Sequence, residues 1–121
     1  MAVSIEELIN KKDEIQKKKK QEYDLETSIG TITIELPKRS LVIESNGLEN
    51  DESDAYLLYH TIVAPTLSDK KLQSAYGCGE PTDIVKALFL PGEVTALSRK
   101  VLELAGYGRD IKSKVHEELK N

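Results

Sequence analysis

A helix–corner–helix pattern between Pro81 and Gly106 constrains the fold of this chain more than any other stretch of its sequence. Proline suits the first position of a helix, where no N–H partner is needed, and Pro81 and Pro91 each precede apolar side chains at helical spacing. Gly106 offers the left-handed backbone that ends a helix. The stretch therefore predicts a short helix, a tight corner at 90–92 and a longer helix packed back on the first. The apolar side chains of the two runs are Ile84, Val85, Leu88 and Phe89, then Val94, Leu97, Val101, Leu104 and Ala105.

The N-terminus predicts a charged helix from about residue 5 to about residue 20. Ser4 and Glu7 match a capping box, and Val3 and Leu8 are placed as its hydrophobic staple. The apolar stripe of this helix is thin, and the helix ends in four lysines at 17–20. These lysines suit the negative end of the helix dipole, so a solvated helix end is favoured over a contact with an anionic partner.

Residues 23–36 predict a β-hairpin. A three-residue turn at 28–30 would place its glycine in the left-handed position. The alternation after it predicts a strand with Ile32, Ile34 and Leu36 facing inward. An isolated hairpin is marginal in water, so its apolar face must pack on helices or on the sheet of a second copy, which is one route to a homo-oligomer.

Between the hairpin and the corner, the pattern predicts three more helices. Residues 40–45 favour a short helix over a strand, and a polar, acidic loop follows at 46–53. A helix then runs from Asp54 to Val63, where Pro65 stops it. Its broad apolar face consists of Ala55, Tyr56, Leu58, Tyr59, Ile62 and Val63.

Two shorter elements complete the pattern. A helix at 69–76, capped by Ser68 and closed by Gly77, would face Leu72, Ala75 and Tyr76 inward. A last helix at 109–119 has a sparse stripe made of Ile111, Val115 and Leu119, and a terminal segment of this kind frays unless it docks.

These elements predict an α+β fold, in which an N-terminal helix and one β-hairpin pack on four to five helices. At 121 residues one domain is expected over 1–121. Its parts are the charged helix at 1–22, the hairpin at 23–36, the helical core at 37–107 and the C-terminal segment at 108–121.

The chain offers little material for catalysis or metal binding. Its one cysteine, Cys78, lies between two glycines with no histidine nearby in sequence, whereas a catalytic thiol needs a base within reach. Besides Cys78, only His60 and His116 could bind zinc well, and zinc sites take four ligands, or three and water. We therefore expect no enzyme, no cofactor and no metal.

Charge and composition limit the partners and the compartment. Residues 21–66 carry nine acidic and two basic side chains, which would repel a nucleic-acid backbone. One cysteine excludes an intramolecular disulfide and suits a reducing compartment. The sequence has no apolar run of membrane-spanning length, and its N-terminus lacks the order of a signal peptide. A cytoplasmic location without membrane or nucleic-acid partners is expected.

The order and spacing of six motifs resemble the XkdN-like tail assembly chaperones of tailed phages and phage-derived elements. The motifs are GTITI at 30–34, DAYLLY at 54–59, APTLSD at 64–69, LQSAYG at 72–77, LFLPGE at 88–93 and LELAGYG at 102–108. The resemblance covers essentially the whole chain. It implies a protein that binds the tape measure protein, a long and largely helical chain, supports assembly of the tail tube around it, and is absent from the finished virion.

A chaperone that keeps another protein, its client, soluble must offer apolar surface that the client can cover. The predicted binding surface is a groove between the helices at 55–63 and 94–105, lined by Tyr56, Tyr59, Ile62, Val63, Val94, Leu97, Val101 and Leu104. The competing interpretation is that these side chains form the domain's own core. A different function, nucleic-acid binding through a helix-turn-helix at 81–105, has only Lys86, Arg99 and Lys100 to support it.

Overall fold

The computed structural model describes residues 2–117, over which the chain forms seven helices and three strands. The helices are α1 (Ile5–Asn10), α2 (Lys12–Lys19), α3 (Arg39–Asn46), α4 (Asn50–Thr61), α5 (Lys70–Ala75), α6 (Asp83–Leu88) and α7 (Pro91–Leu104). The strands β1 (Glu22–Thr27), β2 (Gly30–Glu35) and β3 (Ile62–Ala64) form one antiparallel sheet in that order. The predicted α+β, mainly helical fold is confirmed. None of the helices within residues 2–117 has the length and apolar character that crossing a membrane requires.

The N-terminal helix is interrupted at Lys11, so the prediction of one continuous helix is wrong at that point. Its start is as predicted, because the Ser4 hydroxyl accepts a hydrogen bond at 3.1 Å from the backbone N–H of Glu7. Neither α1 nor α2 contains a buried residue. Tertiary packing, the main source of helix stability in proteins, therefore does not hold the two segments in one helix.

The hairpin forms with a shorter turn than predicted. Thr27 pairs with Gly30, so only Ser28 and Ile29 lie in the loop. Gly30 has a φ of +119°, a backbone conformation that glycine adopts without steric cost. The glycine is thus the first residue of β2 and not part of a three-residue turn.

The inward face of β2 is mostly as predicted. Ile32 and Ile34 are among the most buried side chains of the protein. Leu36 lies beyond the end of the strand and is half-buried. This face therefore supplies two side chains to the core.

β3 is a strand that the sequence analysis missed. The chain leaves α4 at Thr61, and the predicted helix over 54–63 is wrong at its last two residues because Ile62 pairs with Ile34 and Ala64 with Thr33. Pro65 disfavours helical backbone at the residue before it, and β-branched side chains fit a pleated sheet. The hairpin therefore gains a third strand from the helical part of the chain.

α3 and α4 cover residues for which the sequence predicted different structures. The short helix favoured over 40–45 is confirmed by α3. α4, in contrast, begins at Asn50, so the predicted loop over 46–53 is wrong in its second half. Asp51 and Glu52 lie in the first turn of α4, where carboxylates interact favourably with the helix dipole.

The buried face of α4 includes two residues that the predicted face omitted, Leu57 and Thr61. The Thr61 hydroxyl donates to the backbone carbonyl of Leu57 at 2.8 Å. This hydrogen bond satisfies the hydroxyl within the helix, so a polar side chain can occupy the core.

α5 is capped by Asp69 and not by the predicted Ser68. The Asp69 carboxylate accepts from the backbone N–H of Leu72 at 3.0 Å. Ala75 and Tyr76 are exposed, so their predicted inward orientation is wrong, and Leu72 alone faces the core. Gly77, with a φ of +64°, ends the helix in the left-handed conformation as predicted.

The helix–corner–helix is confirmed with one correction. Pro91 is at the start of α7, whereas α6 begins at Asp83, two residues after Pro81. Gly106 has a φ of +96° and follows the end of α7. Of the side chains predicted to face inward from this corner, all except Ala105 belong to the core or pack against it. The buried members of the core are Ile32, Ile34, Val42, Ala55, Leu57, Leu58, Ile62, Leu67, Ile84, Val85, Phe89, Val94, Leu97 and Val101.

Residues 109–117 form no helix, so the predicted last helix is wrong over the described part of its range. Ile111 is 81% exposed and Val115 is 87% exposed, so the described part of the chain does not bury the sparse stripe they form. Leu119, the third member of that stripe, lies outside the described residues.

Candidate protein-binding surface

The eight residues of the predicted binding surface occupy three environments. Ile62, Val94, Leu97 and Val101 are buried, Tyr56, Tyr59 and Leu104 are half-buried, and Val63 is exposed. The buried side chains are covered because α4 packs directly on α7. The space between these two helices is therefore core and not an open groove. A role of the eight residues in binding stays a prediction. Only the half-buried and exposed members are accessible to a partner in this structure.

A stripe of exposed apolar side chains runs along α1. We define the N-terminal arm as residues 4–19, which comprise Ser4, α1, Lys11 and α2. Ile5 is 78% exposed, Leu8 is 46% exposed and Ile9 is 67% exposed. Their i, i+3, i+4 spacing places them on one face of the helix. The arm is thus amphipathic, and its apolar face is open to solvent.

The thin apolar stripe of this arm is visible in the sequence, but it is not part of the predicted surface. In a sequence, such an exposed face can be recognised by an apolar stripe that is too narrow to anchor its helix in a core. Six lysines between residues 11 and 20 surround or follow the stripe and keep the arm strongly hydrated.

An aromatic cluster lies where α3 meets α4. The Tyr56 hydroxyl donates to a carboxylate oxygen of Glu44 at 2.9 Å, which raises the pKa of Tyr56 above its ordinary value because ionisation would break this bond. The ring of His60 lies edge-on to Tyr56, with centroids 4.5 Å apart, and edge-on to Tyr59, with centroids 5.1 Å apart. Partly exposed tyrosines of this kind are enriched in protein interfaces.

The aromatic cluster adjoins a surface recess of about 520 Å³. His60 and Glu44 line the recess together with Leu41, with Lys19 at the end of the N-terminal arm, and with Lys20, which follows the arm. Charged and apolar side chains therefore line this recess together.

The first turn of α7 is fixed to the hairpin turn. Ser28 donates to the Glu93 carboxylate through its hydroxyl at 2.6 Å and its backbone N–H at 2.8 Å. These two bonds, the hydroxyl bond first, lower the pKa of Glu93 below its ordinary value. In a helix-turn-helix, the first turns of this helix would meet DNA bases, and here they carry a bound carboxylate and buried side chains. The geometry gives the nucleic-acid alternative no support.

Cys78 is a free, half-buried cysteine. Its backbone N–H donates to the carbonyl of Gln73 at 3.1 Å, and its side chain packs against the core. Within residues 2–117, no three His, Cys, Asp or Glu side chains are grouped so that they could hold a metal ion.

The fold and the surface define a class: a small, mainly helical α+β protein with an exposed apolar stripe on a lysine-rich arm, features typical of a protein that contacts other chains. A family model described as phage XkdN-like tail assembly chaperone protein matches residues 3–120, nearly the whole sequence. The chain belongs to this family of tail assembly chaperones, as its sequence motifs predicted.

A solved structure agrees with the fold. The chain is similar to the crystal structure of the protein YqbN, a structural genomics target, with a TM-score of 0.57 and 19% sequence identity. The similarity covers 73% of this chain and 87% of that chain. At this identity it supports the fold alone. No curated protein matches the sequence.

Proposed function

We propose that this chain binds the tape measure protein while a phage tail is built, and supports assembly of the tail tube without catalysing a reaction. The observation that carries the proposal is the family match over residues 3–120. On this proposal the chain works in the host cytoplasm, meets the tail tube protein as a second partner, and leaves before the virion is complete.

The N-terminal arm is the surface that we assign to the client. Ile5, Leu8 and Ile9 form an apolar face that the folded chain leaves open. A helical client can pair with such a face through side chains at the same i, i+3, i+4 spacing. Binding at the arm requires no rearrangement of the core, in contrast to binding between α4 and α7.

The accessible members of the predicted surface are a second contact region on this proposal. Tyr56 and Tyr59 lie on α4 beside His60, and Val63 follows in β3. The recess beside this cluster is partly lined by Lys19, the last residue of the arm, and by Lys20 after it, so a client on the arm could extend to the cluster.

Co-expression with the tape measure protein of the same phage element, followed by capture through an affinity tag on the chaperone, tests the function. We expect the chaperone to capture the tape measure protein and to keep it in the soluble fraction. Failure of the wild-type chain to capture or solubilise it would overturn the proposed function.

A matched pair of double variants tests the surface. Ile5→Ser with Ile9→Ser removes the apolar face, while Glu6→Ser with Asn10→Ser changes the neighbouring face of the same helix at the same spacing. Covering one isoleucine fully is worth about 1.5–3 kcal/mol, so even partial coverage of two predicts a loss of about tenfold or more in client affinity. Equal affinity of the two double variants would exclude the arm as the docking surface. All four residues are exposed, so we expect unchanged melting temperatures.

A further inference from the structure

The sheet ends at β1 in an open edge. β1 pairs with β2 on one side only, and in the part of the chain that the structure describes no backbone hydrogen bond joins β1 to any other segment. We propose that this edge binds residues 109–117 of a second copy of the chain, which add to the sheet as a fourth strand. The proposal concerns self-association and does not depend on the tape measure protein.

The backbone of β1 has free groups for such pairing. In an antiparallel hairpin, hydrogen-bonded and non-hydrogen-bonded residue pairs alternate along the strands, and the pair that closes a two-residue loop is hydrogen-bonded. Because Thr27 and Gly30 close the loop here, the backbone N–H and C=O groups of Glu22, Asp24 and Glu26 point toward the open edge. The edge thus offers three residues with unpaired donors and acceptors.

The two faces of β1 differ in chemistry. Glu22, Asp24 and Glu26 are exposed on one face, while the alternate residues Tyr23 and Leu25 are half-buried on the other. Like charges directly opposite each other destabilise a sheet, so pairing of two β1 strands from two copies is disfavoured. A strand with basic side chains on one face and apolar side chains on the other is the complementary partner.

The opposite edge of the sheet is a poorer site. β3 has only three residues, and Pro65, which has no N–H to donate, follows it directly. Of the two edge strands in the described sheet, β1 has six residues and β3 has three.

The C-terminal segment has the complementary pattern. Lys112, Lys114 and His116 alternate with Ile111, Ser113 and Val115, which is a period of two. The segment has no helix or strand of its own in the structure, and its two aliphatic side chains are more than 80% exposed. A second strand would cover both of them.

One alignment pairs opposite charges on one face and an aliphatic with an aromatic side chain on the other, where it also places Ser113 opposite Leu25. An antiparallel strand with Lys114 opposite Asp24 places Lys112 opposite Glu26, and it places Val115 opposite Tyr23. Opposite charges and aromatic–aliphatic pairs at directly opposed positions both stabilise a sheet. The chain's own segment does not occupy its own β1 edge in the structure, so we assign the edge to the segment of a second copy.

Charge reversal tests the proposal in trans. The edge variant carries Asp24→Lys and Glu26→Lys, and the tail variant carries Lys112→Glu and Lys114→Glu. We expect the wild-type chain to associate in sedimentation experiments, and to associate more weakly at high salt. Each variant alone should have an association constant lower by about tenfold or more, because two attractive pairs become repulsive. An equimolar mixture should recover association, because each variant then meets a partner of opposite charge.

A second pair of variants separates strand pairing from charge. Lys114→Pro and Lys114→Gln both remove the positive charge, but only proline removes the backbone N–H that points at β1 in this alignment. We expect the proline variant to associate more weakly than the glutamine variant. Both changes lie in an exposed segment without regular structure, so this comparison holds even where the edge variant fails to fold.

Three outcomes would overturn the proposal. They are a wild-type chain that stays monomeric up to millimolar concentration, a mixture of edge and tail variants that associates no better than each variant alone, and equal association of the proline and glutamine variants. Pairing of the segment with β1 of its own chain would give the first of these outcomes.

Discussion

The side chain of Glu93 accepts two hydrogen bonds from Ser28, one from the hydroxyl at 2.6 Å and one from the backbone N–H at 2.8 Å. The two residues are 65 positions apart in sequence, one in the hairpin turn and the other in the first turn of α7. Hydrogen bonds to an ionised carboxylate are stronger than those between neutral groups. This contact therefore fixes the tip of the sheet to the start of the longest helix.

The Ser28–Glu93 contact predicts a pH-dependent stability. The pKa of Glu93 is lower in the folded chain than its ordinary value of about 4.3. Ionised Glu93 therefore stabilises the fold fully at pH values above that ordinary pKa, and this stabilisation is lost as the pH falls through the lowered pKa of the folded state. Ser28→Ala should melt below the wild type at pH 7, and the difference should shrink as the pH falls below about 4. Thermal melts between pH 7 and pH 3 measure it.

A double variant provides the control for this pH dependence. In a chain that carries Glu93→Gln, position 93 no longer titrates, so adding Ser28→Ala should change the melting temperature by the same amount at every pH. A pH-independent effect of Ser28→Ala in the wild-type background would contradict the role assigned to the Glu93 carboxylate.

The difference between core and arm predicts very different costs for two aliphatic truncations. Leu58 is fully buried between α4 and its neighbours, so Leu58→Ala should lower the free energy of unfolding by about 2–5 kcal/mol. Ile5 is 78% exposed, and Ile5→Ala should change it by less than about 0.5 kcal/mol. Denaturant unfolding of both variants measures the difference, and comparable losses would mean that the arm packs on the body in solution.

Elements with strong local signals could be predicted from the sequence. The hairpin follows from the alternation around Ile32 and Ile34, and α7 follows from Pro91, its apolar stripe and Gly106. In each, the periodic side chains agree with the tertiary packing, although the hairpin turn is one residue shorter than predicted. Such agreement makes the fold class predictable from the sequence, whereas the family follows from the resemblance carried by the order and spacing of the six motifs.

Elements that depend on tertiary pairing could not be predicted. Ile62 and Val63 continue the helical spacing of α4, and pairing of this segment with β2 decides for a strand. Residues 109–117 have a weak helical stripe that lacks a packing partner and does not form a helix. At these positions the local sequence pattern favours a helix, and tertiary contacts determine whether a helix, a strand or an irregular segment forms.

The candidate binding surface was also mispredicted where burial depends on tertiary contacts. An apolar stripe in a sequence does not say whether another stripe of the chain covers it. The faces of α4 and α7 cover each other, so Leu97 and Val101 became core. Within residues 2–117, no other apolar stripe covers the weaker stripe around Ile5 and Ile9, which stays exposed.

The start of α5 offers a direct test of which residue caps the helix. Asp69 accepts from the backbone N–H of Leu72, whereas Ser68, which the sequence favoured, makes no such bond in the structure described for 2–117. Asp69→Ala should lower the free energy of unfolding by about 0.5–2 kcal/mol, the usual cost of losing a cap. Ser68→Ala is the control and should be close to neutral in the same denaturant titration. A larger loss at Ser68 would reverse the assignment.

The two glycines at opposite ends of α7 predict shifts of opposite sign. Gly106 has a φ of +96°, so Gly106→Ala must place a side chain in left-handed backbone, and we expect a loss of about 1–2 kcal/mol. Gly92 lies in the first turn without a positive φ, and a β-carbon there would meet no atom within 4 Å. Gly92→Ala should therefore stabilise the protein by about 0.4–1 kcal/mol, because alanine restricts the unfolded chain more than glycine does. Thermal and denaturant unfolding of the two variants measure both shifts. Destabilisation by both substitutions would show that the backbone around Gly92 leaves helical geometry, and stabilisation by both would show that α7 continues through Gly106.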